Sequence, residues 1–134
     1  MTEMSRLIAS DGFIEHGRGH PRTSGTFAKV LGKYVREDQV VPLMDAVRRM
    51  TLDPARRLER RTPAMVNKGR IKVGADADLA IFDPATVIDR ATYEDATLPS
   101  AGIPYVIVNG QLVVDGGEHT GALPGHALRR GRPD

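Results

Sequence analysis

Ile103-Pro104-Tyr105-Val106-Ile107-Val108-Asn109-Gly110-Gln111-Leu112-Val113-Val114 decides how the second half of this chain is read. Two β-branched runs flank a single Asn-Gly pair. Both residues accept the positive φ of the tight turn whose twist matches the strands it joins, so the stretch predicts a two-residue β-hairpin. Pro104 interrupts only the start of the first run, where a strand tolerates it. Upstream, Leu79-Ala80-Ile81-Phe82 is wholly apolar and bounded by Asp78 and by Asp83-Pro84. It predicts a buried strand. Between the two halves, Val66 to Gly74 is polar and punctuated by glycine. Downstream, Gly116 to Asp134 is rich in Gly, Pro and Arg and reads as an extended surface segment.

The first half follows another pattern. Ser5 to Ser10 reads as a short strand that ends in Asp11 and Gly12, followed by a Gly/His/Arg-rich loop from Gly17 to Gly25. Phe27, Val30, Leu31, Tyr34 and Val35 recur at helical spacing and predict a helix over Gly25 to Arg36. A second helix is expected from about Val41 to Met50, with Pro42 in its first turn. A third starts with Asp53 as its cap and Pro54 at its first position. The chain thus divides into residues 1–51, strand–loop–helix material, and residues 52–134, a linker helix and short strands.

Composition narrows the function classes. The chain has 134 residues, and a complete (β/α)₈ barrel typically needs about 250. There is no cysteine, so disulfides, Cys-ligated zinc and thiol nucleophiles are excluded within this chain. A chain free of cysteine suits a reducing cytosol and equally a bacterial exported protein, so cysteine usage does not fix the compartment; the expected location is cytoplasmic. The formal net charge is only +2, which argues against nucleic acid, since a phosphate-binding surface needs clustered excess charge. No apolar run approaches the roughly 20 residues of a membrane span. No Gly-rich phosphate loop, hydrolase elbow or Ser/His/Asp order is present.

Few residues invite a chemical reading. Asp11 ends a predicted strand, and in α/β barrels that end carries the chemistry. A carboxylate there ligates a metal or moves a proton, and it also serves simply to cap a turn. In His20-Pro21-Arg22, the arginine could clamp a substrate carboxylate with paired hydrogen bonds, or lie on the surface after a Pro turn. His16 and His20 have a helical metal spacing, but the glycines around them argue against a helix and against a metal site built from that pair. Asp76, Asp78 and Asp83 flank a strand; the regular calcium loop is absent, and Asp78 and Asp83 read as the strand's boundaries. Arg56, Arg57, Arg60 and Arg61, and later Arg129 and Arg130, read as solvated basic faces.

Together these pieces resemble the C-terminal part of N-acyl-D-amino-acid deacylases (D-aminoacylases) of the metal-dependent amidohydrolase superfamily. Gly74-Ala75-Asp76-Ala77-Asp78-Leu79 and Val108-Asn109-Gly110 are similar to stretches in many amidohydrolases. Ser10-Asp11-Gly12, His20-Pro21-Arg22, Gly25-Thr26-Phe27 and Val30 to Arg36 are narrower and point to the deacylases. Dihydroorotase-like relatives carry a His soon after the equivalent Asp, whereas Gly12 and Phe13 follow here.

The resemblance implies an α/β plus β fold: the last βα unit of a (β/α)₈ amidohydrolase barrel, incomplete in this chain, then the C-terminal strands of a small composite β-sandwich. It implies a zinc-dependent hydrolase of the amide bond of N-acyl-D-amino acids. Asp11 would be the catalytic proton carrier and a metal ligand, and Arg22 would bind the substrate carboxylate. The family's other zinc ligands have no counterpart here, and one Asp cannot hold the ion. The chain is therefore expected to be inactive alone, its missing N-terminal segment or subunit being the implied partner. The alternative is a stand-alone interaction module derived from an amidohydrolase β-domain.

Overall fold

The computed structural model describes residues 7–129. Residues 7–13 have no regular secondary structure, so the strand expected over Ser5 to Ser10 is not formed in its described part; residues 5 and 6 lie outside it. A strand needs a ladder partner, and one bond, from the Ile8 amide to the Arg49 carbonyl at 3.1 Å, ties this segment down.

The region expected as a loop from Gly17 to Gly25 is structured at both ends. Strands β1 (Ile14–Glu15) and β2 (Arg18–Gly19) pair antiparallel around His16 and Gly17. Both turn residues have positive φ, 49° and 75°; histidine is among the residues that tolerate this region. Helix α1 (Arg22–Lys29) begins three residues before the expected start and continues as a π-helical segment, Val30–Glu37. The early start has a local cause, since Pro21 holds φ at −50° immediately ahead of the helix.

Helices α2 (Leu43–Met50) and α3 (Leu52–Glu59) follow. Pro42 stands just outside α2 in an extended conformation, not in its first turn, and its carbonyl accepts the Ala46 amide at 3.0 Å. Asp53 is not a cap. Thr51 occupies that position, its carbonyl accepting the Ala55 amide at 3.2 Å. Asp53 instead sits buried in the first turn, with Oδ2 at 3.7 Å from Arg48 Nε. A 3₁₀ turn, Pro63–Asn67, leads toward the sheet.

Ala28 and Leu31 form the core with Val87, and Leu43, Val47, Met50, Phe82 and Ile103 pack around them. Val87 is completely buried because two glycines let the backbone close on it. A Cβ at Gly32 would lie 2.6 Å from the Val87 carbonyl oxygen, and one at Gly102 would lie 2.5 Å from the Val87 backbone. Arg36 Nη1 also donates to the carbonyls of Val87 (2.6 Å) and Pro84 (3.2 Å). The segment between the sheet's first two strands is thereby fastened to the helices.

The main sheet is antiparallel throughout, in the order β3 (Leu79–Ile81), β4 (Tyr105–Val108), β5 (Gln111–Asp115), β6 (Glu118–His119). The expected hairpin is present: Val108 pairs with Gln111, and Asn109 and Gly110 have φ of 47° and 77°. Two expectations are corrected. Strand β3 is not buried, since Ala80 and Ile81 are exposed and no second layer covers them among the described residues. The segment after Gly116 is not wholly extended, because β6 returns onto β5 through Gly116 and Gly117, both with positive φ.

Candidate active site

The start of α1 and the segment around residues 89–94 enclose a cavity of about 330 Å³, with His20, Arg22, Lys29, Asp89, Tyr93 and Glu94 in its lining. The sequence brings these two pieces together through small residues. A Cβ at Gly25 would meet that of Asp89 at 2.9 Å. Ser24 Oγ donates to the Ala96 carbonyl (2.7 Å), and Ser100 Oγ donates to the Ser24 carbonyl (3.1 Å).

Asp11 reaches the same helix end from the other side. It adopts a φ of 48°, which Asp tolerates better than most residues. A Cβ at Gly12 would meet Thr23 Oγ1 at 2.5 Å, and Thr23 Oγ1 donates to the Phe13 carbonyl at 3.1 Å. Residues 11–13 thus fold against the first turn of α1, and Asp11 Oδ2 comes to 4.0 Å from Arg22 Nη2. The Asp11 side chain is 94% exposed and that of Arg22 48%. An ion pair so open to water contributes little to stability, so both groups are available to a third molecule. Such a carboxylate can accept and return a proton, and a guanidinium offers paired donors to a second carboxylate.

The two candidate histidines have different surroundings. His16 stands at the tip of the β1–β2 hairpin, 4.0 Å from Glu15. His20 Nδ1 accepts the Arg22 amide at 3.1 Å, and its Nε2 lies 3.1 Å from Tyr93 Oη. Among the described residues, no three His, Cys, Asp or Glu side chains converge on a point that could hold a metal ion. Asp11 has Arg22 beside it and no second ligand among the described residues, so the described residues do not fit a zinc site.

Asp78, Asp83 and Lys68 have structural roles in the described chain. Asp78 Oδ1 accepts the Asn109 amide at 2.8 Å, while Oδ2 pairs with Lys68, which also reaches Asp76 at 3.0 Å. The Asn109 bond first, and Lys68 second, hold the Asp78 carboxyl below the usual range. Asp83 accepts the Ala85 amide and the Thr86 hydroxyl, both at 2.9 Å, closing the turn after β3. These two mark strand boundaries. Arg56, Arg57, Arg60 and Arg61 are exposed, as is Arg129, and Arg130 lies outside the described residues. Sequence reasoning missed Lys29, Asp89 and Tyr93. The signal for Asp89 was Gly25, a glycine inside an otherwise favourable helix; nothing local marks Tyr93.

Residues 6–114 match the amidohydrolase family, and the chain belongs to it. It is 44% identical over 124 residues to an N-acyl-D-glutamate deacylase of Alcaligenes xylosoxydans xylosoxydans, a match covering 92% of this chain and 24% of the relative. A crystal structure of D-aminoacylase aligns with a TM-score of 0.83 at 42% identity, over 92% of this chain and 25% of that one. N-acyl-D-glutamate deacylase from Bordetella bronchiseptica, complexed with zinc and a phosphonate mimic of the tetrahedral intermediate, aligns at 0.77 and 43% identity, with the same coverage. The chain therefore spans about a quarter of the length of the curated relatives it matches. Among the described residues, no helix is long and apolar enough to cross a membrane.

Proposed function

We propose that this chain is the C-terminal part of a zinc-dependent N-acyl-D-amino-acid deacylase, with Asp11 as its proton carrier and Arg22 as its carboxylate binder. The observation that carries the reading is the approach of Asp11 Oδ2 to Arg22 Nη2, 4.0 Å apart, with Arg22 also lining the cavity. Residues 1–51 would be the end of the barrel, and residues 52–134 its linker helix and share of a composite β-sandwich. The exposure of Ala80 and Ile81 in β3 is consistent with covering by another segment or subunit.

In the reaction, Asp11 accepts a proton from the attacking water as the water oxygen bonds to the amide carbonyl carbon. The C–N bond then breaks, and Asp11 returns the proton to the leaving nitrogen, releasing a carboxylic acid and a D-amino acid. Arg22 holds the substrate carboxylate through two parallel N–H donations. Anchoring that group fixes which face of the substrate meets the water, and so selects one enantiomer. Zinc, present in the relative from Bordetella bronchiseptica, needs about three protein ligands. They would have to come from outside the described residues, and the chain alone is expected to be inactive.

The test is a chimera in which this chain replaces the matching quarter of the N-acyl-D-glutamate deacylase. With zinc bound, it should hydrolyse N-acetyl-D-glutamate, and Asp11→Asn should lower kcat by about 10²–10⁴. An Asp11→Asn chimera that folds, binds zinc and keeps its kcat would overturn the role given to Asp11.

A further inference from the structure

We infer that His20 is a positioning residue for Arg22, and that Tyr93 holds His20 in the one tautomer able to serve. The inference rests on Arg22 binding the substrate carboxylate. Arg22 is the first residue of α1, where backbone amides have no partner within the helix. Pro21, at the cap, makes no side-chain bond to these amides. His20 supplies the missing acceptor, its Nδ1 taking the Arg22 amide at 3.1 Å.

A neutral imidazole has one donor and one acceptor nitrogen. If Nδ1 accepts, the proton sits on Nε2, and Tyr93 Oη at 3.1 Å is placed to receive it. The two rings meet edge to face, with centroids 5.1 Å apart and planes at 75°. Tyr93 is 76% exposed, but the segment that carries it is held to the same helix by the Ser24–Ala96 and Ser100–Ser24 bonds. The Arg22 backbone is therefore fixed from the far side of the cavity, and the guanidinium swings from a defined point toward Asp11. Releasing that point lets the first turn fray. Arg22 then spends less time poised for a ligand, and apparent affinity falls with the poised fraction.

The test has two parts. In the full chain, imidazole ¹⁵N shifts report the tautomer and hydrogen exchange reports the Arg22 amide. The neutral ring should carry its proton on Nε2, and Tyr93→Phe should mix the tautomers. His20→Ala should speed exchange of the Arg22 amide by about tenfold. His20→Asn should restore protection, since an Asn Oδ1 accepts the amide two residues on, as in an Asx-turn. In the chimera, His20→Ala should raise KM for N-acetyl-D-glutamate several-fold with kcat changed less than about twofold, and His20→Asn should recover most of the loss. A proton on Nδ1, unchanged Arg22 exchange, or faster exchange with unchanged KM each overturns the inference. If instead Arg22→Ala leaves KM unchanged while exchange still responds to His20, the reading of Arg22 as carboxylate binder has failed.

Discussion

Asp78 joins three parts of the chain through one carboxylate: the start of β3, the turn at Asn109, and Lys68 before the sheet. Its carboxyl is held below its ordinary value by the Asn109 amide and then by Lys68. A carboxyl depressed by folding stabilises the protein above its unfolded value, about 3.9 for Asp, and that share is lost as pH falls through the folded value. Lys68 is raised, chiefly by its bond to Asp78. Its share is present below the ordinary lysine range and is lost as pH rises through the raised value. Asp78→Asn should lower Tm at neutral pH and flatten the loss of stability below about pH 4. Thermal melts across pH check this, and an unchanged acid slope would count against the pairing. At this scale, Asp83 was legible as a strand boundary because it acts on Ala85 and Thr86 close by in sequence; Asp78 was legible from its place before the apolar run, but its bond to Asn109 was not, because the two are far apart along the chain. Asp11 and Arg22 were legible as a pair only through family resemblance. Tyr93 was not legible at all, because its partner lies far away along the chain and no periodicity records that meeting.

Two glycines separate the causes that act on the elements. Gly32 lies inside the π-helical segment, where Ala would gain about 1 kcal/mol of helix propensity. Against this, its Cβ would lie 2.6 Å from the Val87 carbonyl, a backbone atom that cannot swing aside. Overpacking of this kind costs about 1–3 kcal/mol, so Gly32→Ala should destabilise the chain in denaturant unfolding, and a stabilised variant would refute the close approach. Gly110 has open space around it but a φ of 77°. Gly110→Ala should cost about 1–2 kcal/mol through backbone strain alone; an unchanged unfolding midpoint would show that the turn can relax. The hairpin was legible because its turn chemistry is local. The helices were legible from their stripes, but their starts shifted: Pro21 opens α1 early, and Thr51 replaces Asp53 at the cap of α3. The strand expected before Asp11 failed in its described part because its ladder partner cannot be read from the segment itself.

Among the described residues, Phe13, Met44, Ile71, Val73 and Leu123 are largely exposed, and so are Ala80 and Ile81 of β3. Singly exposed apolar residues are ordinary on a protein surface; under the proposed reading, these are where the rest of the enzyme packs. This agrees with a chain that matches about a quarter of its relatives' length. Length excluded a full barrel within 134 residues, while the partners of these exposed residues leave no pattern in the sequence around them. The most direct test is complementation. The chain, alone and then mixed with the separately produced part of the N-acyl-D-glutamate deacylase that it does not match, is assayed with zinc on both enantiomers of N-acetylglutamate. Hydrolysis of the D form by the mixture, and by neither component alone, is the expected result. Hydrolysis by the purified chain alone, or none from a stable zinc-loaded assembly, would contradict the account.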